Sequence, residues 1–154
     1  MENNNRRVVI TGMGIWSCLG TTLDEVKESL FNGKSGIIFS PERKEMGFES
    51  GLTASVKKPE LKGLVDRAHR VFMPEEAQYA YMSTVDALKM AKLDEDYIEK
   101  HDIGLLFGND SSADAVVKSV DTMREKKSTR LVGSGAIFQS MNSTVTMNLG
   151  CLFK

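Results

Sequence analysis

The sequence predicts an α/β fold, and three features carry the prediction. Val8-Val9-Ile10 and Ile103-Gly104-Leu105-Leu106-Phe107 are apolar runs closed by glycines, Gly12 and Gly14 in the first case and Gly108 in the second. Runs without polar alternation suit strands covered on both faces, as in a parallel sheet flanked by helices. Between and after them lie segments whose apolar residues recur three and four apart, the period of an amphipathic helix. Two parallel strands joined by helices make the α/β class.

The chain opens on strand, glycine turn and helix. Gly12, Gly14 and Gly20 allow sharp turns where a Cβ would clash. Thr22 and Glu25 have capping-box spacing, Leu23, Val26, Leu30 and Phe31 share a face, and Asn32-Gly33 ends a helix over residues 22–32. From Gly36 to Pro59 the pattern is interrupted by Pro41, Gly47 and Gly51, which predicts irregular structure with short extended pieces near Ile37 to Phe39 and Leu52 to Val56. Pro74 then opens a core helix running to about Ala91. Ala77, Tyr81, Val85, Leu88 and Lys92 mark its mostly apolar stripe, and Ala77, Ala80, Ala87 and Ala91 are small enough to admit a close neighbour.

A charged link, Leu93 to Asp102, leads to the second apolar run. After it, Ser111 or Ser112 is placed to cap a helix with the apolar face Val116, Val117, Val120 and Met123, while Lys118 and Arg124 to Lys127 form its solvated side. Gly133-Ser134-Gly135 introduces one last helix bearing Ile137, Phe138, Met141, Val145 and Leu149 and ended by Gly150. Ser143, Thr144 and Thr146 weaken that helix, so it depends on tertiary packing.

Charge and cysteine usage exclude several functional classes. With 20 basic and 21 acidic residues and a net charge of −1, the chain has no electrostatic footprint for nucleic acid or an anionic membrane. No apolar run approaches the ~20 residues of a membrane span. Cys18 and Cys151 lie far apart without metal-ligand spacing, and nothing at the amino terminus resembles a signal peptide. A reducing, cytoplasmic setting without a metal follows.

A nucleotide-binding α/β domain is one alternative. Gly12 and Gly14 fill the first two positions of a dinucleotide fingerprint, but Ser17 stands at the third, and no acidic residue follows at the required distance. Gly33-Lys34-Ser35 lacks the earlier glycine of a phosphate loop, since that position holds Glu28.

Val8 to Gly14, Leu19-Gly20 and Gly33-Lys34-Ser35-Gly36-Ile37 stand in an order and spacing shared with a known family, as do Asp66-Arg67, Arg70-Val71-Phe72-Met73 and Ile103 to Gly108. Over nearly its whole length the chain resembles the amino-terminal part of the β-ketoacyl-acyl carrier protein synthases, condensing enzymes of the thiolase-like superfamily. The resemblance implies a layered α/β fold with a mixed, largely parallel sheet, with residues 1–154 an incomplete part of the amino-terminal domain, truncated before the later strands. It implies an acyltransferase that performs decarboxylative Claisen condensation of an acyl thioester with malonyl-acyl carrier protein, in fatty acid or polyketide synthesis. Acyl carrier protein, acyl and malonyl thioesters and a second copy of the chain are the implied partners, and no cofactor is implied.

The family's catalytic cysteine lies in a Ser-x-Cys-x-[TS] turn at the start of a buried helix, with two histidines later. By the resemblance all three are expected beyond Lys154, and the chain alone is expected to be inactive. Cys151, at the end of a helix among apolar residues, reads as a buried structural thiol, and Cys18 likewise. His69 and His101 match no family histidine and read as polar surface residues. Residues after the family's second strand line the acyl pocket, and the helix before the catalytic turn packs across the twofold axis. The matching candidates are Ser111 for the pocket and Ile137, Phe138 and Met141 for the dimer interface that reaches the partner subunit's pocket. A non-catalytic partner subunit resembling the chain-length factors is the alternative within the family.

Overall fold

The computed structural model describes residues 7–110 and 112–153. They fall into two compact units: residues up to Ser55 with Ser83–Asp94, and Val56–Met82 with residues from Glu95 onward.

The first unit begins with an irregular segment, residues 7–16, followed by helix α1 (Leu23–Phe31). Thr22 Oγ1 accepts the Glu25 N–H at 3.2 Å, as the capping spacing predicts, while the Glu25 carboxylate reaches back to the Thr21 N–H at 2.7 Å. Val26 and Ser29 form the buried side of α1, and Ser29 Oγ donates to Leu19 O at 2.8 Å, which ties the helix to the preceding turn. Leu23, Leu30 and Phe31 of the expected apolar face stay exposed.

Strands β1 (Ile37–Phe39) and β2 (Leu52–Ala54) pair antiparallel, with Ile37 opposite Ala54 and Phe39 opposite Leu52. Both expected extended pieces are therefore present. The segment between them is more ordered than its proline and glycines suggest, because Pro41 starts helix α2 (Pro41–Glu45) at the position where a missing N–H costs nothing. Ser40 caps it, and the Arg43 guanidinium lies 4.1 Å over the Phe48 ring.

In the second unit, Asp66 caps the short helix α3 (Arg67–Arg70), accepting the His69 N–H at 3.0 Å and engaging His69 Nδ1. The Asp66 carboxyl is held below its ordinary value of 3.8, chiefly by that backbone N–H and then by the His69 side chain. A depressed carboxyl contributes stability that is present above its unfolded value and is lost as the pH falls through the lower folded value. The α3 cap should therefore persist through neutral pH and open only in acid. A carbon-detected NMR titration checks this: the Asp66 midpoint should fall below 3.8, and a midpoint at or above 3.8 would mean that the cap does not hold the carboxylate.

Helix α4 (Glu75–Ala91) follows Pro74 and belongs to the second unit by its first half and to the first by its second half. Its small residues admit a close neighbour, as the alanine pattern predicts. A Cβ built on Gly12 would lie 2.1 Å from Ala87 O, and one on Gly14 would lie 1.8 Å from Ser83 O. Glycine is required at both positions because the chain there lies directly on the α4 backbone.

After α4 come α5 (Glu95–Lys100), α6 (Asp114–Lys126), a 3₁₀ turn (Thr129–Leu131), α7 (Gly135–Ser140) and α8 (Thr144–Leu152). Helix α5 falls in the segment expected to be only a charged link. The core of this unit is Leu61, Val65, Met73, Ala77, Val145 and Leu149, with Tyr81 and Phe153 stacked at its edge at 5.6 Å.

Three expectations are corrected here. Neither apolar run forms a strand: among the described residues the sheet is the β1–β2 pair alone, and Val8, Ile10 and Leu106 are strongly exposed. A strand exists only through a hydrogen-bonded neighbour, and neither run has one among these residues. The single last helix is two, because Met141 is extended (φ −78°, ψ 139°) and the Ser140 hydroxyl bonds to Ile137 O at 2.8 Å, while Gly150 lies inside α8 and does not end it. Helix α6 has no side-chain cap. It buries Ala115, leaving Val116, Val117, Val120 and Met123 exposed. Ser119 and Thr122 can lie on the less exposed side because their hydroxyls bond within the helix, to Ala115 O and Lys118 O at 2.6 and 2.7 Å.

Candidate functional site

Of the residues expected to shape the acyl pocket and the interface beside it, Ile137 and Phe138 lie in α7 and Met141 at its carboxy end, in the second unit. Ser111 lies outside the described residues, but its neighbours show what the turn does. Asn109 Nδ2 donates to Ser112 Oγ at 3.0 Å and to Asn142 O at 3.3 Å, and Ser112 Oγ donates to Glu76 Oε1. The polar sequence after the second apolar run thus ties that turn both to α4 and to the residue following Met141. Ser112 forgoes helix capping to make this link.

Phe138 packs edge-on against Phe72, with ring centroids 5.4 Å apart at 84°, and Met141 caps the carboxy end of α7. Ile137 is 69 % exposed, so α7 presents it outward. The other side of α7 faces α6. There Val71, Ala115, Ser119, Thr122, Ala136 and Gln139 are among the residues lining a cavity of about 250 Å³, and Ile137, Phe138 and Met141 are not. Gln139 Nε2 donates to Val71 O at 2.7 Å, which anchors α7 to the turn after α3. Gly135 packs there too, since a Cβ would sit 3.0 Å from Val71 O.

Sequence reasoning missed the polar anchors. Asn148 is buried in α8, where its amide donates to Phe72 O at 3.1 Å, to Thr144 O at 2.8 Å and to Thr144 Oγ1 at 3.2 Å. It holds α8 against the turn before α4. The available signal was an amide inside the otherwise apolar run Met147-Asn148-Leu149. A buried amide must find partners, so such a residue marks a docking point.

No nucleophile is assembled among the described residues. Cys151 lies in the last turn of α8 and is exposed, which corrects the expectation of a buried thiol. Burial follows helix phase, and Thr144, Val145, Asn148 and Leu149 occupy the inward face of α8. Cys18 is half-buried, with its Sγ 2.5 Å from where a Gly36 Cβ would stand. His69 has the Asp66 partner described above. His101 is exposed, with its ring stacked 4.0 Å from that of Tyr97 and its Nδ1 2.7 Å from Tyr97 O. Among the described residues no cluster of His, Cys, Asp and Glu could hold a metal ion, and no helix is long and apolar enough to cross a membrane. Gly12 and Gly14 are used to admit α4, so on that face they do not cradle a phosphate.

The sequence profile of the β-ketoacyl synthase N-terminal domain matches residues 5–151. The 3-oxoacyl-[acyl-carrier-protein] synthase 1 of Escherichia coli (strain K12) is 36% identical over 151 residues, covering 97% of this chain and 37% of its own. That of Haemophilus influenzae (strain ATCC 51907 / DSM 11121 / KW20 / Rd) is 35% identical over 150 residues with the same coverage, 97% and 37%. A β-ketoacyl synthase crystal structure from Burkholderia phymatum STM815 superposes with a TM-score of 0.79 at 28% identity, over 96% of this chain and 37% of that one. An ishigamide ketosynthase/chain length factor superposes at 0.75 with 21% identity, over 96% of this chain and 37% of that one, a likeness of fold alone. The chain therefore spans 37% of the length of these curated relatives.

Proposed function

The chain belongs to the β-ketoacyl synthase family through its N-terminal domain, and from that premise we propose that it is the amino-terminal part of an acyltransferase of carbon–carbon bond formation. The reaction is decarboxylative condensation of an acyl thioester with malonyl-acyl carrier protein, as in fatty acid synthesis. Acyl carrier protein and the two thioesters are its partners, it pairs with a second copy, and it works in the cytoplasm. Residues 1–154 are an incomplete part of the N-terminal domain. They contribute scaffold and pocket wall, and the nucleophilic cysteine and the two histidines that polarise the malonyl thioester are not among them.

The observation that carries this reading is the match over residues 5–151. The geometry supports it, because neither Cys18 nor Cys151 stands at a helix amino terminus, where a thiolate nucleophile is favoured. Ser111, Ile137, Phe138 and Met141 are the residues through which chain length is read, with Met141 at the end of α7 beside the Asn109–Asn142 link.

The test is a condensation assay with acyl- and malonyl-acyl carrier protein. Residues 1–154 alone should yield no β-ketoacyl product, and turnover by them would overturn the account of the missing nucleophile. In a longer protein that contains this chain and is active, Met141→Trp should change the ratio of rates for long and short acyl substrates by roughly tenfold or more, the scale on which apolar pockets discriminate. An unchanged ratio would remove Met141 from the pocket.

A further inference from the structure

Arg70 ends α3 in an unusual state for an arginine. Its Nε is buried and meets no acceptor among the described residues, and its guanidinium forms no ion pair there. Arg43 also has an orphaned Nε, but its guanidinium lies on the Phe48 ring, so that cation has a partner. Arg70 is half-buried, and a buried donor without an acceptor is uncommon enough to call for an explanation.

Arg70 opens on a cavity of about 430 Å³, with Lys58, Pro59, Glu60, Leu61 and Gln78 as its other walls. Pro59 and Leu61 are buried and give the cavity an apolar side. Glu60 also lines the cavity, with its Oε1 engaged by the Lys62 N–H at 2.9 Å. Gln78 is oriented by its own bond, Nε2 donating to Met73 O at 3.0 Å. Lys58 Nζ touches Glu75 Oε1 at 3.2 Å in an exposed pair, which leaves its other two donors free to turn inward.

We propose that this cavity binds a small oxyanion, a carboxylate or phosphate group on a short organic body, through Arg70 and Lys58. The planar guanidinium fork takes two oxygens at once, and Lys58 adds a point charge. The volume falls within the range of small-molecule sites, and Pro59 and Leu61 receive the apolar part of the ligand. The site does not depend on the condensation reaction, so its failure would leave the family reading intact.

Titration of the protein with inorganic phosphate and with succinate, followed by backbone amide NMR at constant ionic strength, tests the proposal. At least one anion should bind saturably, with the largest shifts at Leu61, Arg70 and Gln78, and the tighter of the two identifies the preferred oxyanion. Arg70→Gln should weaken binding about tenfold, the scale of one charge-assisted hydrogen bond. Glu75→Gln should tighten it about threefold by releasing Lys58, a gain that misfolding cannot produce. Absence of saturation by both anions, or equal affinity in Arg70→Gln and the unaltered protein, would overturn the proposal.

Discussion

Replacing Gly14 with alanine should destabilise the protein by about 3 kcal/mol or more, at or above the upper end of ordinary overpacking. The added Cβ would stand 1.8 Å from Ser83 O, 2.7 Å from Ser83 C and 3.0 Å from Ser83 Cα, all backbone atoms of α4. A side chain could rotate away from such a clash, but a helix backbone cannot yield without losing its ladder. Gly12→Ala should behave alike, since its Cβ would meet Ala87 O at 2.1 Å and Ala91 N at 3.0 Å. Gly108 is the internal control, with nothing near its Cβ position, and alanine there should be within about 1 kcal/mol of neutral. Urea denaturation of the three variants decides the matter. If Gly14→Ala and Gly108→Ala unfold at the same urea concentration, the segment before α1 does not lie on α4.

Leu149→Ala should cost about 3 kcal/mol, within the 2–5 kcal/mol span for emptying a packed leucine site. Leu149 is 0 % exposed and sits in the cluster with Leu61, Val65, Met73, Ala77 and Val145. Asn148 beside it fixes α8 to Phe72 O and leaves the helix little freedom to collapse into the cavity. Ile137→Ala, on the outer side of α7, should change stability by no more than ~0.5 kcal/mol. Thermal and urea unfolding of the pair checks the contrast. A small loss at Leu149 would mean that α8 is not docked as described.

These two sites show what could be read before the fold was known. The glycines of Val8 to Gly14 were legible as obligatory, and the alanines of α4 as a surface for close approach, but nothing local joined the two. They lie some seventy residues apart in the sequence, and the contact between them makes the glycines packing residues. The apolar period over Val145 to Leu149 likewise marked a buried face. The break at Met141 was hidden, because Ser140 and Thr144 tolerate a helix and compete with it equally. For the candidate pocket, Ile137, Phe138 and Met141 were legible only through the family's pattern. Asn109, Gln139 and Asn148 anchor the surrounding elements, and their partners were not legible, because one polar residue in a run does not announce its partner.

By itself the sequence determined the family, the α/β class and the positions of α1, α4, α6 and the β1 and β2 segments. Helix signals are local: a cap such as Thr22 acts within four residues, and a helix closes its own hydrogen bonds over the same span. Only the tertiary structure decided which face of α6 is buried and, among the described residues, that neither long apolar run pairs and that the Arg70 Nε is left without an acceptor. Each depends on groups brought together from distant parts of the chain. A strand takes its hydrogen bonds from a neighbour, a helix face is buried only against another element, and a buried donor is satisfied only by an acceptor that folding places beside it.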